Sequence, residues 1–433
     1  MEGHKGQRCG TAMHNTNLDG HSSTAVSAAD EALLDLVQRH SFGYFWDFAH
    51  PASGMARDRG RSDGTVENDL LAVGGTGFGI MAMIVAAERG WISRKAAVDR
   101  LRTILSFLGK ADCYNGVFPH FLDGATGKEV AFWADNSGGD LVETSYLVAG
   151  FLCARQYFDA ANNQETELRR LIASLWENVK WNWHAGSGAL HWHWKPKHKV
   201  LKLRIEGWNE CLITYVLAAS SPTYPVSASV YHEGWAKGAD FRNGKDYYGI
   251  KLPLGPELGG PLFFAHFSFL GLDPRGLKDR YADYWEQNLH HILINYEHCV
   301  RNPNGFKGYG PDCWGLTSSE GDHGYRAHSP SEDDGVIAPC AALSSFPYTP
   351  QLSARALRHF FSLGAKLWGK YGFADAFNPT TGWYSNEHLA IDQGPTVVMI
   401  ENYRTGLIWR LFMSCPEISR GLQLLGFERQ AQA

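Results

Sequence analysis

The sequence predicts an all-α fold, an (α/α)6 barrel in which an inner ring of helices is wrapped by an outer ring. Two observations predict it. About a dozen helical stretches alternate between amphipathic ones with a polar face and apolar ones with almost no charge. Strand patterns occur only as short β-hairpins. Because a helix without a polar face must be covered on all sides, the apolar helices belong inside, with the hairpins and long loops over one end.

The first half of the chain begins with an amphipathic helix over 29–49, in which Asp30 is the expected cap and Pro51 follows the end. Residues 70–87 carry no charge over 18 residues, which is the lower limit for a membrane-spanning helix. Four glycines at one end favour instead a loop that leads into a buried helix over 79–88. Further helices are predicted over 93–108, 138–158, 164–181 and 206–219, and hairpins over 116–132 and 183–194.

The second half contains an irregular region, 220–261, and a glycine-rich loop, 302–330. No linker or internal repeat divides the chain, so we predict one catalytic domain over 29–428. Residues 1–28 are polar and have no apolar signal core, which predicts a disordered or non-native N-terminal segment and no signal peptide in the sequence as given. Helices are predicted over 277–300, 335–345, 353–371, 394–413 and 416–425.

Composition and motifs exclude several classes of function. The net charge is −5 and the one basic block is 195–204, so a nucleic acid is not an expected partner. There is no HExxH, no phosphate-binding loop and no GxSxG, and the pair His191 and His193 lacks a third ligand nearby. We therefore expect no metal and no cofactor. The eight cysteines form no CxxC pair, which indicates isolated thiols and leaves a disulfide open.

Four carboxylates lie at corresponding places on the predicted inner helices. Asp140 and Glu143 begin one and share a face, Glu210 lies early in the next, and Asp392 directly precedes a third. If these helix starts face one cleft, the acids converge as glycoside hydrolysis requires, with one acid to protonate the leaving oxygen and one carboxylate to activate water or attack. The alternative for each is a structural role at a helix N-terminus, which the helix dipole favours. The 15 tryptophans fit either sugar stacking or core filling.

Six blocks of the sequence resemble the glucoamylase-like family that is grouped as glycoside hydrolase family 144, the bacterial β-1,2-glucanases. The match runs in order from about residue 30 to 425. The older family name implies hydrolysis of α-glucans, which we do not adopt. The blocks are YFWDF at 44–48 with GMARDR at 54–59, GGDLVET at 138–144, WNE at 208–210 followed by SPT at 221–223, GPLFFAH at 260–266, GYRAH at 324–328, and DQGP at 392–395 with IENYR at 400–404.

The resemblance implies an (α/α)6 barrel that cleaves linear β-1,2-glucan with inversion and releases sophoro-oligosaccharides. It implies that Glu210 is the general acid, acting directly or through a substrate hydroxyl, and that Asp392 is the general base. Asp140 and Glu143 become essential cleft acids that hold the sugar or tune the other two. Asn136 departs from the family, where we expect an acid. The substrate-binding candidates are Trp46, Arg57, Asp58, Trp133, Asn136, Tyr325, Arg326, Tyr384, Gln393, Asn402 and Tyr403.

Endo action on β-1,2-glucan is the predicted mode, and exo release of sophorose from chain ends is the nearest alternative. A polysaccharide lyase is a second alternative, with Tyr325, Arg326 and His328 as its base and cation. A non-catalytic glycan-binding protein is a third. We further expect a monomer with no membrane partner, whose β-1,2-glucan or sophoro-oligosaccharide substrate is its only partner. A periplasmic or secreted location follows by family analogy.

Overall fold

Helices that are buried all round alternate along the chain with helices that bury one face. The computed structural model describes residues 26–131 and 138–429, so Trp133, Asn136 and most of the predicted N-terminal segment 1–28 lie outside the described residues. The helices are α1 (Ala28–Trp46), α2 (Val73–Glu88), α3 (Arg94–Leu108), α4 (Leu141–Tyr157), α5 (Asn163–Glu177), α6 (Leu212–Ser220), α7 (Phe263–His266), α8 (Tyr284–Arg301), α9 (Pro339–Ser344), α10 (Pro350–Ser362), α11 (Ala390–Arg404), α12 (Leu407–Met413) and α13 (Pro416–Leu424).

The buried helices form the inner ring of an α/α toroid, as the sequence predicts. Helices α2, α4, α6, α9 and α11 are apolar over most of their length, whereas α1, α3, α5, α8 and α10 each present a polar face to solvent. Helix α2 packs between α4 and α11, and α4 also packs on α6. His266 of α7 is joined to Ser345 after α9 by an Nε2···Oγ hydrogen bond of 3.1 Å. The predicted fold class is therefore confirmed.

Glycines allow α2 and α4 to approach closely. A Cβ on Gly77 would lie 2.1 Å from the carbonyl oxygen of Tyr146, and one on Gly150 would lie 2.3 Å from that of Gly77. Any side chain at either position would push the two backbones apart. The prediction of a loop over these glycines is wrong, since α2 begins at Val73 and includes all four of them. No helix among the described residues is both long and apolar enough to cross a membrane.

Three helix boundaries differ from the prediction in ways that affect the site. Helix α1 is capped by Ser27, whose hydroxyl accepts the N–H of Asp30 while the Asp30 carboxylate accepts that of Ser27. Helix α6 begins at Leu212, so Glu210 lies in the turn before it and not inside a helix. Helix α11 begins at Ala390, so Asp392 lies in its first turn and does not precede it. The predicted helix over 394–413 is divided between α11 and α12.

Short strands form pairs between the helices. The predicted hairpin over 116–132 is confirmed by β3 and β4, but the one over 183–194 is wrong, because β6 pairs with β7 further along the chain. The strands are β1 (Arg59–Arg61), β2 (Leu70–Ala72), β3 (Phe121–Asp123), β4 (Glu129–Val130), β5 (Gly139–Asp140), β6 (His191–Lys195), β7 (Val200–Arg204), β8 (Asp246–Tyr247), β9 (Ile250–Lys251), β10 (Leu277–Lys278), β11 (Ser318–Ser319), β12 (Arg326–Ala327), β13 (Trp368–Gly369), β14 (Gly372–Phe373), β15 (Phe377–Asn378), β16 (Trp383–Tyr384), β17 (Glu387–Leu389) and β18 (Glu428–Arg429).

The cysteines of the described residues are free thiols. Five are buried, Cys340 is half-buried and Cys113 is exposed. Burial raises the pKa of thiols such as Cys153 and Cys211 well above the ordinary value, so they remain protonated. Within the described part of the chain, the thiols are therefore packing groups, which decides between the two readings of the cysteine pattern.

Candidate active site

A cavity of about 380 Å³ lies at the end of the barrel where the inner helices begin. Its walls come from the starts of α4 and α11, from the turn before α6 and from α7. These segments are far apart in sequence, and the ring brings their N-terminal ends together. The lining residues are Asp58, Arg59, Ala72, His120, Phe121, Val142, Glu143, Tyr146, Trp192, Glu210, Phe263, Phe267, Ser318, Tyr325, Leu389 and Ile391.

Asp140 caps α4 beneath the cavity floor and is fully buried. Its Oδ1 accepts the backbone N–H groups of Val142 and Glu143, both at 3.0 Å. Its Oδ2 lies 2.8 Å from His120 Nδ1 and accepts the Trp192 Nε1–H at 3.2 Å. Burial would raise the pKa of Asp140, but the hydrogen bond and charge of His120 outweigh it and hold the pKa below its ordinary value. Asp140 is therefore an ionised cap that orients two cavity side chains.

His120 is the cationic partner of this acid group. Burial would lower the pKa of His120, but the charges of Glu143 and Asp140 raise it to about 9. The imidazole is therefore protonated at neutral pH and donates to Asp140. A protonated histidine at the cavity wall offsets part of the negative charge that the buried carboxylates would otherwise accumulate.

Glu143 lines the cavity one helical turn from Asp140, with 7% of its surface exposed. Its Oε2 accepts the backbone N–H of Gly74 at 2.7 Å, at the start of α2. A Cβ on Gly74 would lie 2.6 Å from that same oxygen, so glycine is required there for the contact. Burial, with the charges of Asp140 and Asp58, raises the pKa of Glu143 to about 7 against the opposing charge of His120.

Glu210 reaches the same cavity from the turn before α6 and is 9% exposed. Ser268 fixes this turn, because its hydroxyl donates to the Glu210 carbonyl and accepts the Ile213 N–H at 3.0 Å. Burial raises the pKa of Glu210 to about 7, and the charges of Glu143 and Asp140 act in the same direction. A carboxyl that holds its proton near neutral pH is suited to general acid catalysis.

Asp392 lines a second, smaller cavity of about 10 Å³ together with Asp375, Cys340 and Gln393. Its neighbour Ile391 lines the large cavity, so the first turn of α11 forms part of the wall between the two cavities. Asp392 Oδ1 accepts the Cys340 thiol hydrogen at 3.0 Å. Burial raises the pKa of Asp392 to about 6, while hydrogen bonds from Asp375 and Cys340 oppose the rise.

The fold brings together part of the set of residues predicted from the sequence. Asp58, Glu143, Glu210 and Tyr325 line the large cavity, Asp140 lies directly beneath it, and Asp392 and Gln393 line the small one. The remaining described candidates line neither of these two cavities: Trp46, Arg57, Arg326, Tyr384, Asn402 and Tyr403.

Each of these remaining residues has a packing or hydrogen-bonding contact elsewhere. Trp46 stacks on Arg100 with the guanidinium carbon 4.3 Å from the ring centroid, and Arg57 bonds to Asp69 at 2.9 Å. Tyr384 stacks on Phe377, and Tyr403 packs on Phe346. Asn402 donates to the Leu270 carbonyl at 3.0 Å, and exposed Arg326 lies 3.7 Å from Asp334.

Sequence reasoning missed His120, Trp192, Phe263, Phe267 and Asp375. His120 directly precedes β3 and Trp192 lies in β6, and their shared partner Asp140 is 20 and 52 residues away along the chain. The pairing of β5 with β6 sets Asp140 opposite His193 and brings Trp192 to the carboxylate. The one available signal was the alternation of histidine and tryptophan over 191–194, which indicates a strand with functional side chains.

No group of three or more His, Cys, Asp or Glu side chains among residues 26–131 and 138–429 has the geometry to hold a metal ion. The cavity instead combines carboxyls with raised pKa values, one histidinium and several aromatic faces. This combination supplies a proton donor, a proton acceptor and surfaces for a sugar ring.

Comparison with known proteins places relatives across nearly the whole chain. A protein family described as "Putative glucoamylase" matches residues 202–416. An endo-β-1,2-glucanase of Chitinophaga pinensis, solved with sophorotriose and glucose, is 52% identical with a TM-score of 0.90, and the match covers 93% of this chain and 99% of that chain. A β-1,2-glucanase structure from Parabacteroides distasonis is 46% identical with a TM-score of 0.88, covering 92% of this chain and 60% of that chain.

A curated relative from Parabacteroides distasonis has a different described mode of action. It is an exo β-1,2-glucooligosaccharide sophorohydrolase that acts at the non-reducing end, and it is 46% identical over 429 residues. The match covers 93% of this chain and 59% of the relative, so the chain spans about three fifths of the length of that protein. The names of these relatives thus share the β-1,2-glucosidic linkage and differ in the mode of cleavage, endo in the Chitinophaga enzyme and exo in the curated relative.

Proposed function

Because the chain belongs to the glucoamylase-like family, glycoside hydrolase family 144, we propose that it hydrolyses linear β-1,2-glucan to sophoro-oligosaccharides with inversion at the anomeric carbon. The observation that carries the proposal is that Glu210, with a pKa of about 7, lines the large cavity, and that only the first turn of α11 lies between this cavity and the one lined by Asp392. An inverting hydrolase needs such a proton-bearing acid and a separate carboxylate base. The described β-1,2-glucanase relatives support the choice of substrate.

Glu210 is proposed as the general acid. In the reaction the bond between the anomeric carbon and the glycosidic oxygen breaks, and the oxygen takes the proton of Glu210, directly or through a substrate hydroxyl. The support for this role is burial, which keeps the Glu210 proton in place near pH 7. Hydrogen bonds through Ser268 hold the turn that carries it, and a fixed donor loses little entropy when the substrate binds.

Asp392 is proposed as the general base. The attacking water forms the new bond to the anomeric carbon, and its proton passes to Asp392. With a pKa of about 6, Asp392 is ionised at pH 7 and still basic enough to accept a proton. Ile391, the neighbour of Asp392 in the chain, and the 44% exposed Tyr325 line the large cavity, and we propose that the water approaches the carboxylate from this side.

The sugar is proposed to bind on the aromatic and charged walls of the large cavity. Trp192, Phe263 and Phe267 offer ring faces, and Asp58 is held by Arg59 through an Oδ2···Nε contact of 3.0 Å. The buried hydroxyl of Tyr146 has no hydrogen-bond partner among the described residues, so a sugar hydroxyl is a suitable partner for it. The net charge of this wall is then set by three neighbouring groups, the carboxyls of Asp140 and Glu143 and the protonated imidazole of His120.

The first experiment incubates the protein with linear β-1,2-glucan and follows product sizes and the anomer released. We propose endo action, which gives a ladder of sophoro-oligosaccharides at early times, released as the α-anomer. Exo action, the described mode of the Parabacteroides relative, gives sophorose alone from the first minutes. The absence of any reducing-end release overturns the proposed function. A product that absorbs in the ultraviolet identifies a lyase, and binding without turnover identifies a glycan-binding protein.

The second experiment tests the two carboxylates. We expect Glu210→Gln and Asp392→Asn each to lower kcat at least about 100-fold, because general acid or base catalysis contributes about 10² to 10⁴. The matched controls are Glu206→Gln, four residues away and exposed, and Asp240→Asn, also exposed. The controls should retain wild-type kcat. Full activity in both active-site variants contradicts the assigned roles.

A further inference from the structure

The small cavity is lined by two buried carboxyl groups, Asp375 and Asp392. Asp375 and Asp392 are 2% and 4% exposed. Asp375 Oδ2 accepts the Glu320 N–H at 2.6 Å, and Asp392 Oδ1 accepts the Cys340 thiol hydrogen at 3.0 Å. The other oxygen of each carboxyl, Asp375 Oδ1 and Asp392 Oδ2, accepts no hydrogen bond from an N–H, hydroxyl or thiol group of any described residue.

Both carboxyls line the same cavity of about 10 Å³, a space for about one water molecule, so the two groups lie close together. Two ionised carboxylates are acceptors only, so a hydrogen bond between them exists only when one carries a proton. Two like charges in contact inside a protein also cannot both ionise at moderate free-energy cost. The pair is therefore an acid–carboxylate dyad with one proton and one negative charge.

We propose that Asp375 is a positioning residue that carries the proton of this dyad and, through its hydrogen bond, holds Asp392 ionised and oriented as the base. This inference rests on the role of Asp392 given under the proposed function. During turnover the proton that leaves the attacking water adds to Asp392 and gives a fully protonated pair. Before the next cycle Asp392 releases this proton to solvent and Glu210 takes one up from solvent, which replaces the proton that it gave to the leaving oxygen, so charge and atoms balance.

The surroundings of the dyad explain which member keeps the proton. Burial and the charge of Asp392 raise the pKa of Asp375 well above its ordinary value. Asp392 instead receives two donors, from Cys340 and from Asp375, and both stabilise its anion. The other charged or titratable groups that act on the pair are Glu320, whose N–H holds Asp375, together with Asp58 and Tyr325.

Two further features tie the dyad to the site. Arg59 bridges Asp58 and Glu320, with contacts of 3.0 and 2.5 Å, and so neutralises part of the charge around the dyad. Gln393, which is 5% exposed and lines the same small cavity, has an Oε1 that no described group satisfies. The small cavity is thus lined by three acceptor oxygens without a donor among the described residues, and a proton on one carboxyl would supply one of the missing donors.

The activity test compares Asp375→Ala with Asp375→Asn. The alanine variant removes the donor to Asp392, so we expect kcat to fall at least about tenfold and the acidic limb of kcat against pH to move to higher pH. The asparagine variant keeps an N–H donor to Asp392. Its acidic limb of kcat against pH should therefore lie near the wild-type position, and it should keep most of the wild-type kcat with little change in KM. An unshifted limb and unchanged kcat in Asp375→Ala overturns the proposal. A change in KM alone indicates a merely structural role and also overturns it.

A second measurement does not depend on activity. Because the pKa of Asp375 is raised in the folded protein, the folded state keeps a proton that the unfolded chain loses above about pH 4. The stability of the wild type therefore falls as the pH rises from that point, and Asp375→Asn removes this loss. The Tm difference, variant minus wild type, should be more positive at pH 7 than at pH 4. An equal difference at both pH values overturns the shared proton.

The exposed control Asp240→Asn should show no such pH dependence. The two measurements separate the two proposals. If the wild type fails to hydrolyse β-1,2-glucan, the proposed function fails, while the Tm comparison still tests the dyad. If the wild type hydrolyses the glucan and the Tm difference is constant, the dyad fails alone.

Discussion

Helices α4 and α11 begin at the same end of the barrel, and each has a buried carboxyl group at its start. The two carboxyl groups have different partners. At α4 the cap Asp140 is ionised and is paired with the protonated His120 at 2.8 Å. At α11 the cap position is Leu389, without a side-chain hydrogen bond, and Asp392 is paired with another carboxyl, Asp375. The buried carboxyl at the start of α4 is therefore paired with a cation, and the one at the start of α11 shares a proton with a second carboxyl.

The comparison shows how the partner of a buried carboxyl group determines its pKa and therefore the chemical role that it can have. A carboxylate paired with a cation has a lowered pKa and stays ionised, which suits a group that binds and orients. A carboxylate that shares a proton with a second acid keeps a pKa near the working pH, which suits a group that takes up a proton. The α4 start therefore has the character of a binding wall, and the α11 start has the character of a reacting centre.

The largest expected effect is on stability, at the α4 start. Asp140→Ala removes a helix cap, worth about 1 kcal/mol, and leaves the half-buried charge of His120 without this partner, which costs about 2 kcal/mol. We expect a loss of about 3 kcal/mol in the free energy of unfolding, measured by urea denaturation at pH 7.

The control for this variant is Asn162→Ala, which removes a neutral cap from α5 on the outer ring, where the Asn162 side chain accepts the Glu165 N–H just as Asp140 accepts the Glu143 N–H. Asn162 has no charged partner of this kind, so its loss should cost only about 1 kcal/mol. Equal losses in the two variants would mean that the pair of Asp140 with His120 adds nothing to stability, and the contrast between the two helix starts would disappear.

The next effect is on the pH dependence of the reaction. Glu210 must be protonated, so kcat/KM should fall above about pH 7, and Asp392 must be ionised, so it should fall below about pH 6. The acidic limb belongs to the carboxyl pair as a unit, since its members titrate together. We expect a narrow bell with its maximum between these values and a decline of about tenfold per pH unit on each side. A profile that is flat from pH 5 to pH 9 contradicts both assignments.

The smallest effect is expected at Cys340. Its thiol donates to Asp392 and lowers the pKa of that carboxyl, so Cys340→Ala should raise the pKa and move the acidic limb upward. One hydrogen bond is worth about 1 kcal/mol, so kcat/KM at the optimum should fall by less than about tenfold. Cys340→Ser keeps a donor and should leave the limb near its wild-type position. A downward shift in Cys340→Ala would show that the thiol does not stabilise the Asp392 anion.

The sequence predicted the residues of the site that belong to helix starts. Glu143, Glu210 and Asp392 follow from the rule that inner helices begin at one end of a toroid, so acids near those starts converge. Trp46, Arg57, Asn402 and Tyr403 were candidates because they occur in the family blocks. Those blocks also contain packing residues, and the blocks give no information on which face of a helix or strand turns to the cavity.

His120, Trp192 and Asp375 could not be predicted in this way. Each lies in a strand or loop whose position depends on pairing with a distant segment, such as β5 with β6 or the Asp375 N–H with the Glu387 carbonyl at 2.9 Å. Loop and hairpin conformation depends on such long-range contacts, which no local pattern encodes.

By itself, the sequence determined the toroid and the set of acids at the inner helix starts, because hydrophobic periodicity is a local property that decides which helices must be buried. Only the tertiary structure decided which of those acids is paired with a cation and which with another acid. That choice fixes their protonation, since the pKa of a buried carboxyl is set by the groups that touch it in space. The difference in protonation between the carboxyls at the starts of α4 and α11 therefore depends on the folded structure and cannot be read from the local sequence.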